Sequence, residues 1–377
     1  MGFFAIFSST MSKSPVLPLF AQRLGASAAD IGFIAAASTV VGILASLPAG
    51  ALSDVWGRRR VILLAGAVFA SAPFLYLLIH TPWQLALVRV YHGLATAIFG
   101  PVALALIADM FRQRRGETMG WYSSATLAGR ALAPVAGGYL LYRLTYHAVY
   151  LGCAVAGVLA LLVAYRLPGS NAEGDAPPSR RWRELLDGIN RVIRHRGILL
   201  TSVAEATQYF AFGAVETFLP LYAVGVGLNP FQIGTLFGAQ IITTTLVKPL
   251  MGRASDRYGR QPMIAGGLVV GAGAVLFIPA ARSYAALLPI GVAFGLALAI
   301  VTASTAVLVS ELAQARAYGS ALGAMSTIMD IGHSSGPVVS GLIIARWGYG
   351  AAFRAAGALM LGAAVVVPAF VRKPAQE

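Results

Sequence analysis

Gly50-Ala-Leu-Ser-Asp54-Val-Trp-Gly57-Arg58-Arg59-Arg60 closes one long apolar run, and Gly252-Arg-Ala-Ser-Asp256-Arg-Tyr-Gly259-Arg260 closes another in the second half of the chain. Both read Gly-x-x-x-Asp-x-x-Gly-Arg, and both sit where a hydrophobic run meets a basic loop. One phrase at matching places in two halves predicts two repeated lobes. Repeats embedded in a membrane are the organisation of secondary transporters, whose lobes rock about a central site.

Composition agrees with a membrane setting. Hydrophobic residues make up 58% of the 377 and charged residues 11%, whereas a soluble domain averages about 25% charged. The net charge of +14 is not read as a nucleic-acid surface, because the basic residues sit in short loops between apolar runs, where they set orientation. Cys153 is the single cysteine, which excludes an internal disulfide and a multi-cysteine metal site. The first residues look like a helix starting almost at Met1, with no cleavable signal peptide. No phosphate loop of the Gly-x-x-x-x-Gly-Lys-[Ser/Thr] type and no His-Glu-x-x-His is found. No enzyme activity, metal or cofactor is expected, and the driving energy is expected from an ion or substrate gradient.

A helix needs about 20 apolar residues to span the hydrocarbon. Twelve such runs are found, at roughly 1–20, 31–52, 60–80, 84–108, 117–141, 147–167, 198–222, 231–252, 262–281, 284–309, 318–345 and 350–371. Open sheet is excluded, since it leaves unpaired backbone groups in lipid. The expected fold is an all-α integral membrane protein, with twelve transmembrane helices in two pseudo-symmetric six-helix bundles. The bundles are expected at 1–167 and 198–377. The polar segment 168–197 between them, with Arg180, Arg181, Arg183, Arg191, Arg194 and Arg196, reads as a linker carrying a basic amphipathic surface helix.

One side of the expected membrane collects Arg58–Arg60, Arg112, Arg114, Arg115, Arg166, the linker arginines, Arg253, Arg257, Arg260, Arg316, Arg372 and Lys373. The other holds Arg23, Arg143, Arg282, Arg346 and Arg354. The positive-inside rule therefore predicts both termini and the linker in the cytoplasm of a cell inner (plasma) membrane protein.

Further motifs carry a family resemblance. The fourth run holds Arg89-Val-Tyr-His-Gly93, and the first holds Pro15-Val-Leu-Pro18. The fifth runs Gly120, eight residues, Gly129, three residues, Ala133-Pro134, two residues, Gly137-Gly138. The eleventh repeats it as Gly323, eight residues, Gly332, three residues, Gly336-Pro337, two residues, Ser340-Gly341. On these residues and the two loop phrases the chain resembles the major facilitator superfamily over essentially its whole length. The fifth run is similar to the antiporter signature G(x8)G(x3)GP(x2)GG, with Ala133 in place of one glycine. The resemblance implies a twelve-helix exporter of the drug/proton antiporter kind, acting as a monomer on a small molecule, with protons and the bilayer as its other partners. Independently, small residues at this spacing let helices approach closely in lipid, and a mid-helix proline introduces a kink. Gly129, Pro134, Gly137, Gly336 and Pro337 are therefore candidate pivot residues.

The loop phrase reads as a latch. Asp54 at a helix end is placed to pair with Arg58 or cap a neighbouring helix, and Gly57 of the same phrase is a candidate gating residue with them. Asp109 and Arg112 are candidate partners, and Asp256 with Arg257 and Arg260 is the expected twin. Ionisable groups deep in membrane helices are functional candidates by default. Asp330 is the first candidate proton carrier, with His333 one turn on, and Glu205 the second. Glu216 lies near the outer end of its run. Arg89 resembles the helix-4 arginine that the family links to proton transfer; a hydrogen bond to first-helix carbonyls is the alternative. Lys13, Tyr91, His92, Tyr122, Arg130, Gln208, Tyr209, Phe212, Phe237 and Gln240 are candidate cavity residues for an amphipathic molecule, although such aromatics also serve as interface anchors. Export of an anionic metabolite, sugar or metallophore, proton-coupled import, and a transport-dead receptor on the same fold remain alternatives.

Overall fold

A computed structural model describes residues 1–111, 113–167, 195–313 and 318–370, with backbone alone for 46–52, 54, 55, 318–320 and 368–370. The described residues form helices and no strand. In chain order these are α1 (Gly2–Met11), α2 (Val16–Arg23), α3 (Ala28–Trp56), α4 (Arg58–Tyr76), α5 (Pro82–Met110), α6 (Arg115–Arg143) and α7 (Tyr146–Tyr165). After the linker come α8 (Arg196–Gly225), α9 (Pro230–Tyr258), α10 (Arg260–Phe277), α11 (Tyr284–Leu312) and α12 (Tyr318–Phe370). Eight are long and apolar enough by composition to cross a membrane. The expected linker helix lies outside the described residues.

Three of the twelve expected runs differ in form. The first is not one helix but α1 and α2, parted at Ser12–Pro15. Pro15 cannot donate an N–H to the ladder and clashes with the preceding turn, so the chain restarts at Val16. The last two runs are continuous through α12 except at Gly348, whose φ of 78° and ψ of 172° break the helix. Together α1 with α2 and the two parts of α12 account for the expected twelve spans.

Helix starts follow ordinary capping chemistry. Ser27 with Asp30 and Thr81 with Gln84 form capping boxes at α3 and α5, and Pro82 occupies the first turn of α5. Each satisfies backbone donors that a helix N-terminus leaves open. The two repeated loop phrases share one backbone device. Gly57 (φ 86°, ψ 134°) lies between α3 and α4, and Gly259 (φ 92°, ψ 146°) lies between α9 and α10. Side-chain-bearing residues avoid this region, so glycine permits a helix-to-helix turn in a single residue. Gly57→Ala is expected to destabilise the protein by about 1–3 kcal/mol, read as a lower midpoint in thermal unfolding of the detergent-purified chain, and Gly259→Ala should match it.

The chain divides into two compact units, one of Met1–Arg181 with Asn229–Gly238 and one of Trp182–Leu228 with Ala239–Glu377. In the first, α1 packs on α6 and α7, α3 on α5, and α4 on α5 and α7. In the second, α8 packs on α12 over a long seam, and α10 packs on α11 and α12. Glycines set these approaches. A Cβ on Gly93 of α5 would lie 2.8 Å from the Ser38 Cα of α3, and one on Gly129 of α6 would lie 2.7 Å from the Phe3 carbonyl oxygen of α1. A Cβ on Gly137 would lie 3.0 Å from Met11 Cγ. In the second unit Gly332 and Gly336 of α12 face the backbones of Ala206 and Phe210 on α8, and Gly213 of α8 faces the carbonyl of His333. Gly129 and Gly137 of one signature and Gly332 and Gly336 of the other thus do equivalent work. They seat α6 against α1 in one unit and α12 against α8 in the other.

Candidate functional site

The second unit buries a carboxylate. Glu205 on α8 is 4% exposed, and the Thr305 hydroxyl of α11 lies 2.6 Å from its Oε2. A charge out of water is costly unless paired. The Lys248 ammonium on α9 is near enough to act on it electrostatically. Gln208 stands one turn further along α8, fully buried, and neither of its amide atoms meets a protein partner. Gln240 on α9 is buried as well, with Nε2 unpartnered, and so is the Ser304 hydroxyl beside Thr305. Buried polar groups are normally satisfied. This concentration of polar atoms on α8, α9 and α11 therefore marks the interior of the second unit as a place built for more than packing.

A second ionisable pair lies on the α8–α12 seam. His333 Nε2 is 3.3 Å from Glu216 Oε2, and both side chains are mostly buried. Phe212 stacks on the imidazole at 5.4 Å and Tyr209 meets it edge-on. Asp330 precedes His333 by one turn of α12, and the structure also brings Glu216 to the imidazole, from 117 residues away. Asp330 is half-buried on α12. Phe237 is buried at 3% exposure.

In the first unit Arg89 is 3% exposed. Its guanidinium donates to the Ser38 hydroxyl of α3 and is near enough to Tyr76 of α4 to act on it electrostatically. The bond runs to α3, whereas the alternative offered by the sequence is the first-helix carbonyls. Tyr76 also meets His92 Nδ1 at 3.4 Å, and His92 lies edge-on to Phe69. Arg89, Tyr76 and His92 form one buried polar chain between α4 and α5. Tyr91 shares a 2.9 Å hydrogen bond with Ser71 and packs into the apolar cluster around Phe69 and Phe99. Tyr122 joins the same cluster beside Gly2. Lys13 is half-buried at the break between α1 and α2, while Arg130 is exposed on α6.

The repeated loops each carry an ion pair between neighbouring helices. Arg58 Nη1 is 2.8 Å from Asp109 Oδ2, joining the start of α4 to the end of α5. Arg260 pairs with Asp256 one turn back, and its Nη2 is 3.0 Å from Glu311 Oε1, joining the start of α10 to the end of α11. Arg260 Nη1 also donates to the Ser255 hydroxyl at 2.6 Å. A cation at a helix N-terminus opposes the helix dipole, and the facing carboxylate offsets that. Glu311 was not singled out from sequence. The available signal was its position, since it ends α11 as Asp109 ends α5. Arg257, grouped with Arg260 in sequence, sits 5.6 Å over the Tyr258 ring instead. The Asp54 side chain and Arg112 lie outside the described residues.

Comparisons with known proteins agree with this architecture. The sequence model of the Major Facilitator Superfamily matches residues 1–239 and again 201–377. An uncharacterized MFS-type transporter of Methanocaldococcus jannaschii is 24% identical over 335 residues, covering 88% of this chain and 86% of its own length. The quinolone resistance protein NorA of Staphylococcus aureus is 23% identical over 344 residues, covering 90% and 87%. Among solved structures, a point mutant of the nucleoside transporter NupG superposes with a TM-score of 0.82 at 16% identity, over 98% of this chain and 97% of its own. A bacterial homolog of the human lysosomal transporter Spinster, in an inward-facing and unoccupied conformation, gives 0.77 at 14%, over 98% and 93%. These structural likenesses speak to the fold alone. With one family's model matched across the whole chain, the chain belongs to the Major Facilitator Superfamily and is a multi-pass membrane transporter.

Proposed function

We propose that this transporter is a proton-coupled exporter of small, drug-like amphipathic molecules, seated in the cell inner membrane with both termini cytoplasmic. Domains 1–167 and 198–377 act as the two rocking lobes, joined by the linker 168–197. The observation that carries the proposal is Glu205, a carboxylate 4% exposed in the middle of a polar interior. Such a group is expensive inside a membrane protein and is kept there for a use. Asp330 and the Glu216–His333 pair are further sites where a proton is held and passed on, and Arg89 tunes the first lobe. Gln208, Gln240, Tyr209 and Phe212 offer a substrate polar contacts beside aromatic faces, which suits an amphipathic cargo. The similarity to a quinolone resistance protein supports a cargo of that type.

The latches Arg58–Asp109 and Arg260–Glu311 hold neighbouring helices at the proposed cytoplasmic end and open and re-form in the cycle. The glycine-lined seams keep each lobe rigid while it rocks. The test is accumulation of a fluorescent cationic amphipath in cells that lack their own efflux pumps. Expression of the protein is expected to lower accumulation at least several-fold, and an uncoupler that collapses the proton gradient should restore it. Equal accumulation with and without the protein, across cationic, neutral and anionic amphipaths, would remove the drug-like export reading.

A further inference from the structure

One cavity in the first unit lies apart from the polar interior around Glu205 and reaches the Arg89 chain only through Tyr76. It encloses about 240 Å³ where the end of α2, the turn after α4 and the start of α7 meet. Its polar wall is Arg23, His80, His147, Tyr76, Tyr146 and Tyr150; the rest of the lining is apolar, and no acidic residue contributes. Three basic side chains therefore face one cavity without a carboxylate among them. Arg23 caps the Tyr146 ring at 5.3 Å.

Part of the lining is a rigid aromatic base. Tyr76 and Tyr150 stack on one another at 4.5 Å with an interplanar angle of 2°. Tyr150 is 1% exposed, and its hydroxyl meets no protein partner. A buried hydroxyl is normally hydrogen-bonded, so a cavity wall that contains an unpaired one is prepared for a polar ligand atom. The opening also lies at the N-terminus of α7, a 20-residue helix whose Thr145 cap takes up the Ala148 N–H. The dipole at such an end favours an anion.

From these features we infer that the cavity binds a small aromatic carboxylate. Its ring is received by the apolar lining of Phe20, Leu24, Leu77 and Ile79, and its carboxylate meets Arg23 at the rim with His147 and His80 to either side. Guanidinium is suited to this, since its fork matches a carboxylate. The size sets the class further. Drug-sized ligands occupy pockets of about 300–1,000 Å³, so this cavity takes a single-ring molecule. It shares no residue with the polar interior around Glu205, and the inference stands whether or not the chain exports drugs.

Equilibrium dialysis of radiolabelled benzoate against the purified full-length protein in detergent tests the site, with benzyl alcohol and benzylammonium as neutral and cationic counterparts. Saturable benzoate binding is expected, with both counterparts much weaker. Arg23→Gln is expected to weaken benzoate at least about tenfold, the scale of one charge-assisted hydrogen bond, and His147→Gln to weaken it less. Both residues are exposed, so both variants should melt as the parent does, and either one alone can decide if the other fails to fold. Non-saturable uptake, equal binding of benzyl alcohol, or binding unchanged in the folded variants would overturn the inference. None of those results would bear on export, which is read by transport.

Discussion

Glu205→Gln is expected to abolish uphill transport while leaving the protein folded. The substitution keeps shape and volume, and a glutamine oxygen still accepts from the Thr305 hydroxyl that now lies 2.6 Å from Glu205 Oε2. What it removes is the proton. The local geometry shows why that matters. Thr305 Oγ1 is also 2.9 Å from the Val301 carbonyl oxygen, and a hydroxyl has one hydrogen to give. With Glu205 protonated, its O–H donates to Thr305 and Thr305 donates to Val301, so every group is satisfied. With Glu205 ionised, Thr305 must turn to the carboxylate and Val301 loses that donor. Two protonation states thus correspond to two hydrogen-bond patterns between α8 and α11. The glutamine variant is locked out of this exchange. Proton-driven accumulation in vesicles should fall to the level of vesicles without the protein, while gradient-independent exchange of substrate persists. Retained uphill transport in the variant would move the proton site elsewhere, with Asp330 and Glu216 the next positions to test.

Gly336→Ala should also be severe, by a different route. A Cβ at Gly336 runs into the Phe210 carbonyl and would lie 3.2 Å from the Ala214 backbone nitrogen. Neither neighbour is a flexible side chain that can turn away. Overpacking of this kind costs about 1–3 kcal/mol, and here it wedges apart the α8–α12 seam, where Gly213 and Gly332 leave no slack either. The same seam holds His333 against Glu216 at 3.3 Å. A lower melting midpoint should therefore come with lost transport. Gly323→Ala is the control, because a Cβ at Gly323 meets nothing within 4 Å; it should be near neutral on both counts. Equal tolerance of alanine at both positions would mean that the eleventh-run signature is not a packing seam.

The comparison of sequence with structure has a physical pattern. The fold was legible because its signals are local or repetitive: apolar length, basic loops, and a phrase that occurs twice. Gly57 and Gly259 are the clearest example, since both copies of the phrase place glycine where the backbone has positive φ. The break in the first run is signalled by Pro15, yet a proline alone does not tell one kinked helix from two. The site was legible by residue type only. Glu205, Glu216, Asp330 and His333 stood out as ionisable groups in apolar runs, yet a 3.6-residue period gives neighbours only along one helix. The pairing of Glu216 with His333 and of Glu205 with Thr305 crosses between helices far apart in sequence, and nothing in the local pattern encodes it. His92 shows the reverse. It was grouped with cavity residues for its polarity, and it lies buried against Tyr76 and Phe69 in the first unit. Glu311 was reachable from the sequence by carrying the repeat one step further, from Asp109 in the first half to its counterpart in the second.

The most direct measurement is proton movement in everted membrane vesicles that have been acidified inside and loaded with a pH-sensitive dye. A panel of cationic drugs, sugars and carboxylate-rich metabolites is added in turn. The account predicts that an amphipathic cation, and not the sugars, triggers proton release, and that Glu205→Gln abolishes it in vesicles carrying the same amount of folded protein. Substrate movement with no accompanying proton release would contradict proton-coupled export.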